Sequence, residues 1–256
     1  PKVKLIKADG RNFLLLAKEK YDVISCDPTH PLLGCGSLYT KEYFELCRKH
    51  LNESGVVCQY LPLHKISLSD FEAIIKSFND VFPNSMIWLA VSHGILLGQM
   101  DRRTIDFKRF SERLAMNSLK EILEPVNLAL PFEFLSTFIM DEWAVKKFVK
   151  NSRTNVDDLP LVEFSGNRSL SQETWFTNMT ALLNFRSPAT ILIENINEEE
   201  KKILERWQNG KYFMYRGLVN QNKTLINDAQ QDFYQGININ PEDKELQLML
   251  ERVGGY

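Results

Sequence analysis

Apolar residues in this chain fall into two periodicities, alternating runs and runs with helical spacing, and the switches between them predict the elements. Residues 2–8 alternate and end at Asp9-Gly10. That predicts a strand followed by a turn in which glycine can take a conformation other residues avoid. Asn12 to Lys20 has helical spacing. Tyr21 to Cys26 is a short apolar run ending at Asp27, the pattern of a buried parallel strand with a polar residue at its carboxyl tip. A loop bearing glycine and proline follows, from Pro28 to Ser37. Thr40 is placed to cap a helix over 41–51, which Asn52 to Gly55 would close. Gly55 to Leu61 reads as the next strand, and Ser69 as the cap of a helix over 70–82. Residues 86–91 and 94–98 read as two strands joined at Ser92-His93.

Strands alternating with helices, then a hairpin, predict an α/β fold. The sheet would be parallel with an antiparallel edge and helices on both faces. Ligands in such sheets sit at the carboxyl ends of the strands, where Asp9, Asp27 and Gln59 fall. Residues 104–150 have helical spacing broken at Pro125 and Pro131. Residues 151–170 are polar apart from Leu159 to Phe164, and 172–185 read as a further helix. Three regions result: 1–100 as the sheet domain, 101–190 as its helical extension, and 191–256 as an all-α region of helical hairpins, with flanking helices at 197–208 and 242–253. In the last region Gly217, Ala229, Gly236 and Pro241 stand at spacings of 12, 7 and 5, with Phe213 and Phe233 between them. These intervals resemble one tetratricopeptide repeat, although Arg216 and Asn220 depart from its pattern. One repeat cannot bury its own face, so it must pack on something else.

Composition narrows the function classes. The net charge is −2, with 44% hydrophobic and 25% charged residues, so nothing argues for nucleic acid or an anionic membrane surface. No apolar run reaches the roughly 18 residues of a membrane span, so no membrane contact by this chain itself is expected. Cys26, Cys35, Cys47 and Cys58 are spaced by 9, 12 and 11, which fits no zinc motif. They read as reduced, buried thiols of a cytoplasmic protein, or of the cytosolic part of a membrane-anchored parent, with no metal. The opening Pro-Lys-Val-Lys is too charged for a signal peptide and lacks an initiator Met, so a piece of a longer protein is expected.

Three stretches then carry a resemblance: Tyr21-Asp22-Val23-Ile24-Ser25-Cys26-Asp27-Pro28-Thr29-His30-Pro31, Gly36-Ser37-Leu38-Tyr39-Thr40, and Gly55-Val56-Val57-Cys58-Gln59. Together they resemble the spermidine/spermine synthase family, in particular the branch fused behind a transporter-like membrane segment. Thr154 to Phe164 is similar to a second block of that branch. The resemblance covers about residues 1–185 and implies a Rossmann-like, methyltransferase-type sheet that lacks its first strands in this chain. It implies transfer of an aminopropyl group from decarboxylated S-adenosylmethionine, a substrate rather than a resident cofactor, to a small-molecule amine. Asp27 would help deprotonate the amine and orient it, while Asp9 and Gly10 would meet the adenine, with Gly34 on the nucleoside side. His30, Ser37, Tyr39, Gln59 and Tyr60 would line the amine site. The chemistry is coherent: an alkylamine with a pKa of about 10 arrives protonated, and a carboxylate at bonding distance can hold the cation and take its proton.

Three departures qualify the implication. His30 replaces the second acidic residue of the family's Asp-x-x-Asp loop, and imidazole does not attract a polyamine as a carboxylate does. Gly34 stands where proline is common. No Gly-x-Gly-x-x-Gly-like loop occurs, so this chain alone is expected to bind nucleotide weakly or not at all. Its first strand would present an open edge inviting self-association as a homo-oligomer. Two other readings stand beside the transferase: an S-adenosylmethionine-dependent methyltransferase, and a non-catalytic scaffold whose helical tail binds a protein partner.

Overall fold

The computed structural model describes residues 3–28, 30–90, 93–164 and 173–254. The chain opens with residues 3–8 outside any regular element and Asp9 capping α1 (Gly10–Leu16), its carboxylate accepting from the Asn12 amide at 2.7 Å. β1 (Tyr21–Cys26) leads through a π-helical turn (Pro31–Cys35) and a 3-10 turn (Gly36–Tyr39) to α2 (Lys41–Lys49). β2 (Leu51–Pro62), α3 (Leu68–Val81), β3 (Met86–Ala90) and β4 (His93–Gly98) follow. Next come β5 (Ile105–Asp106), α4 (Phe107–Leu114), α5 (Asn117–Leu123), α6 (Pro131–Ser136), β6 (Phe138–Met140), α7 (Glu142–Phe148) and α8 (Leu161–Phe164). α9 (Trp175–Leu183) and β7 (Ile193–Glu194) precede the helical tail, α10 (Glu198–Asn222), α11 (Ile226–Ile239) and α12 (Lys244–Gly254).

The main sheet has the order β1-β2-β4-β3-β6. Only β1 and β2 are parallel, in register Val23↔Val56 to Cys26↔Gln59; the other neighbours are antiparallel. The mixed α/β sheet and all-α tail agree with the fold class expected, but the sheet expected to be parallel with an antiparallel edge is mostly antiparallel, because residues 3–8 add no parallel strand and β6 extends the hairpin side. Along β2, Val57, Gln59 and Leu61 are buried while Val56, Cys58 and Tyr60 are half-buried, the two-residue alternation of a pleated strand. The core joins those positions to Phe71, Ile74 and Phe78 of α3, and it continues without a break into Met214, Tyr215, Phe233 and Leu246 of the tail. The lone helical hairpin therefore buries its face mainly against the helical extension, with α10 packed on α6 and α9.

Several local expectations are corrected. Residues 3–8 form no strand; Val3 and Leu5 are largely exposed, because no strand among the described residues pairs with this segment to satisfy its backbone. The sheet's outer strand is instead β1, with Val23 58% exposed, so β1 is parallel but not buried. Gly10 begins a helix, and among the described residues Gly34 is the one glycine with positive φ, at 80°. The segment expected as an open loop over 28–37 contains the π-helical turn. α2 ends at Lys49 and β2 starts at once, with an irregular register between Tyr21 and Val23 taking up the extra residues that read as a closing turn. Ser67, not Ser69, caps α3: its hydroxyl accepts from the Asp70 amide at 3.2 Å. The expected separate helix over 197–208 is the first half of α10, which a capping box of Asn197 and Glu200 opens and which runs unbroken to Asn222. The short strand β6 was hidden in a stretch that reads as helical, because three apolar residues carry too little pattern to separate the two.

Candidate active site

The carboxyl end of the sheet is where the chemistry-bearing residues gather. β1 and β2 run the same way and β4 runs opposite, so the carboxyl ends of the first two meet the start of the third; Pro62 pairs with His93. Asp27 stands exposed at the β1 tip. It borders an open cavity of about 440 Å³ with Gly10, Leu14, Cys26, Leu38 and Tyr43 on its walls. Asp9 faces an adjoining depression of about 520 Å³, with one carboxylate oxygen already engaged as the α1 cap.

The remaining expected site residues lie at different depths. Tyr39 and Gln59 are wholly buried and do not face the cavity. Burial raises the Tyr39 phenol far above its ordinary value. Ser37 and Gly34 are exposed. The Ser37 carbonyl accepts from Arg11 Nη1 at 2.8 Å. Tyr60 is half-buried, and its pKa is raised by burial and, secondarily, by the charge of Asp27. Its hydroxyl lies 3.2 Å from His93 Nδ1.

His30 is 4% exposed, with Nε2 3.1 Å from the His64 carbonyl. Its ring centroid is 5.3 Å from that of His64, which in turn is 6.2 Å from that of His93. Burial lowers the pKa of both His30 and His64, with Lys65 and, for His64, the other two imidazoles adding to the effect. Both rings are thereby held neutral near pH 7. Sequence reasoning missed this row; the signal was there, since a β3–β4 hairpin with β4 antiparallel beside β2 brings the end of β2 to the start of β4.

A second missed group fixes the loop that carries Ser37 and Tyr39. Asn155, wholly buried, donates from Nδ2 to the Tyr39 carbonyl at 2.9 Å, and its own carbonyl accepts from the Lys41 amide at 2.9 Å and the Ser77 hydroxyl at 3.0 Å. Two residues on, Asp157 takes a forked pair from Arg11, which pulls its carboxyl below the usual carboxylate range. Asp157 is thus a tie between α1, the Ser37 loop and the 154–164 block. The four cysteines are free; burial pushes Cys26 and Cys58 up and Cys47 up to about 12, so these three are thiols rather than thiolates. No cluster of three or more His, Cys, Asp or Glu side chains that could hold a metal occurs among the described residues, and no helix among them is long and apolar enough to cross a membrane.

Asp27 is thus an exposed acid at a strand tip beside one cavity. Residues 1–100 match the spermine/spermidine synthase domain. The chain is 27% identical over 127 residues to a polyamine aminopropyltransferase of Korarchaeum cryptofilum, covering 44% of this chain and 39% of that protein. It is 36% identical over 83 residues to one of Saccharolobus solfataricus, covering 32% and 28%. It is 30% identical over 118 residues to spermidine synthase 2 of Arabidopsis thaliana, covering 43% and 35%. The chain therefore spans well under half the length of these curated relatives. Among solved structures, a probable spermidine synthase from Corynebacterium glutamicum matches at 18% identity and a TM-score of 0.44, over 61% of this chain and 55% of that one.

Proposed function

We propose that this chain is the amine-side part of an aminopropyltransferase, which moves an aminopropyl group from decarboxylated S-adenosylmethionine to an amine. The observation that carries the reading is Asp27: a carboxylate at the carboxyl tip of a parallel strand, open to a cavity, inside the stretch that matches the synthase domain. The amine nitrogen must lose a proton before it can attack the carbon next to the sulfonium. Asp27 both holds the ammonium and accepts that proton, and the neutral thioether leaves. Holding the two substrates in line supplies much of the rest of the rate. The nucleoside lies towards α1, near Asp9, and the amine towards Tyr60 and the histidine row.

The exposed apolar side chains at Val3, Leu5, Phe13 and Val23 support a second element of the reading: the nucleoside side of this site is completed by further protein packed on that edge. The parent polypeptide containing these residues should form methylthioadenosine from decarboxylated S-adenosylmethionine and an amine. Asp27→Asn should slow it by about 10²–10⁴-fold, the usual contribution of a general base. Equal rates for the two proteins would remove Asp27 from the chemistry, and turnover of S-adenosylmethionine to S-adenosylhomocysteine would move the reading to a methyltransferase.

A further inference from the structure

An open pocket of about 490 Å³ lies between the carboxyl end of the sheet and the helical tail. His64 and His93 form one wall, Trp175 and Glu173 a second, and Leu218, Gln221 and Asn222 of α10 the third. The tail lies beyond the residues that match the synthase domain, so this third wall belongs to no part of that match. The pocket lies beside the Asp27 strand tip: Cys26 pairs with Gln59, the next residue is Tyr60, and the Tyr60 hydroxyl lies 3.2 Å from Nδ1 of the lining residue His93.

The chemistry of the walls is specific. Two imidazoles, an indole and a leucine side chain offer flat and apolar surface; two terminal amides offer neutral donors and acceptors. Among the described lining residues Glu173 is the one carboxylate, and its Oε1 already accepts from the Trp175 amide at 2.8 Å. Lys65 is close enough to lower the affinity of the imidazoles for protons. His30, where an acid would serve a second ammonium, is buried against the His64 carbonyl. A second cation entering here gains one partly committed carboxylate and meets the field of Lys65. A planar neutral body gains stacking and two amide partners.

We propose that this pocket holds the body of the acceptor, and that the acceptor is a primary monoamine carrying a planar, uncharged, hydrogen-bonding group rather than a second ammonium. The inference rests on the transferase reading for the position of the reacting amine, and it deepens that reading by assigning α10 a part in acceptor choice. All seven lining residues lie within this chain, so the chain itself is the material for the test.

The experiment is a titration of the full chain with tyramine and, separately, with diaminobutane, read by the histidine-ring signals in proton–nitrogen correlation spectra. Tyramine should shift the His64 and His93 signals and bind at least tenfold more tightly than diaminobutane. Gln221→Ala with Asn222→Ala should weaken tyramine by several-fold and leave diaminobutane within twofold. Equal affinity for the two amines, tighter diaminobutane, or His64 and His93 signals that tyramine leaves in place would each overturn the proposal. Methylthioadenosine formation by the parent polypeptide, measured alongside, separates the two levels. Tyramine binding without that turnover in any amine keeps the pocket and removes the transferase reading. Turnover with diaminobutane as the better acceptor keeps the transferase and removes the monoamine inference.

Discussion

Gly217 offers the most direct test of how the tail is held. It lies in α10 facing α11, and a β-carbon built there would stand 2.7 and 2.9 Å from Cδ1 and Cζ of Phe233, and closer still to Cε1. Ordinary carbon contacts are about 3.5–4.0 Å, so Gly217→Ala requires the ring or the helix to retreat by roughly 1 Å. Phe233 is wholly buried in the core shared with the sheet, which leaves the ring nowhere to move at low cost. Overpacking of this kind costs about 1–3 kcal/mol, while alanine gains about 1 kcal/mol over glycine in a helix interior. With three ring atoms in conflict the upper part of the first range applies, and the net loss is about 1–2 kcal/mol. In a protein of this size that lowers the melting temperature by about 2–8 °C. Urea unfolding followed by circular dichroism measures it, with the cycle completed by Phe233→Leu alone and the double variant. Trimming the ring removes the conflict, so the double variant should be more stable than the sum of the single changes by about 1 kcal/mol or more. A more stable Gly217→Ala, or additive single changes, would refute the close approach of α10 and α11.

Other consequences are as concrete. Asn155→Ala leaves the buried Tyr39 carbonyl without its side-chain donor and should cost about 1–3 kcal/mol in the same unfolding assay; a loss below about 0.5 kcal/mol, the scale of an ordinary surface change, would mean the Ser37 loop is held by other contacts. Stability should be full above about pH 6.5 and decline as the pH falls below it, because the unfolded chain binds protons there that His30 and His64, with lowered values, refuse in the folded state. The groups facing His64 are His30, His93, Glu173 and Lys65, and His64→Gln should flatten that decline; an unchanged slope would place its origin elsewhere. Cys47, buried and with its thiol raised to about 12, should resist alkylation by iodoacetamide at neutral pH until urea unfolds the chain, and early labelling in the native protein would contradict its position.

The legible parts of this protein are those fixed by neighbours in the chain. Alternation located β2, β3 and β4 to within a few residues, and a hydroxyl before an apolar run identified Thr40 as a cap. Gly217, Ala229 and Gly236 marked where two helices approach, since only small residues permit it, and Gly217 and Gly236 do lie against Phe233 and Leu246. The errors follow from the same logic. The alternation at residues 2–8 asks for a strand, but a strand needs a partner for its hydrogen bonds, and pairing lies outside local pattern. Val23 reads as core for the same reason, and only its place on the outermost strand exposes it.

The sequence by itself determined the type of the longer elements, the acid at Asp27 and the histidine at position 30, because each is a matter of residue identity and spacing. The tertiary structure decided depth and company. It sank Tyr39 and Gln59 below the surface, and lined up His30, His64 and His93 from three separate segments. It tied Asp157 to Arg11 across most of the chain and brought Gln221 and Asn222 to the same pocket as His64. Those juxtapositions depend on the order in which strands pair and on which face a distant helix covers, energies that arise only between segments and leave no local trace in the chain.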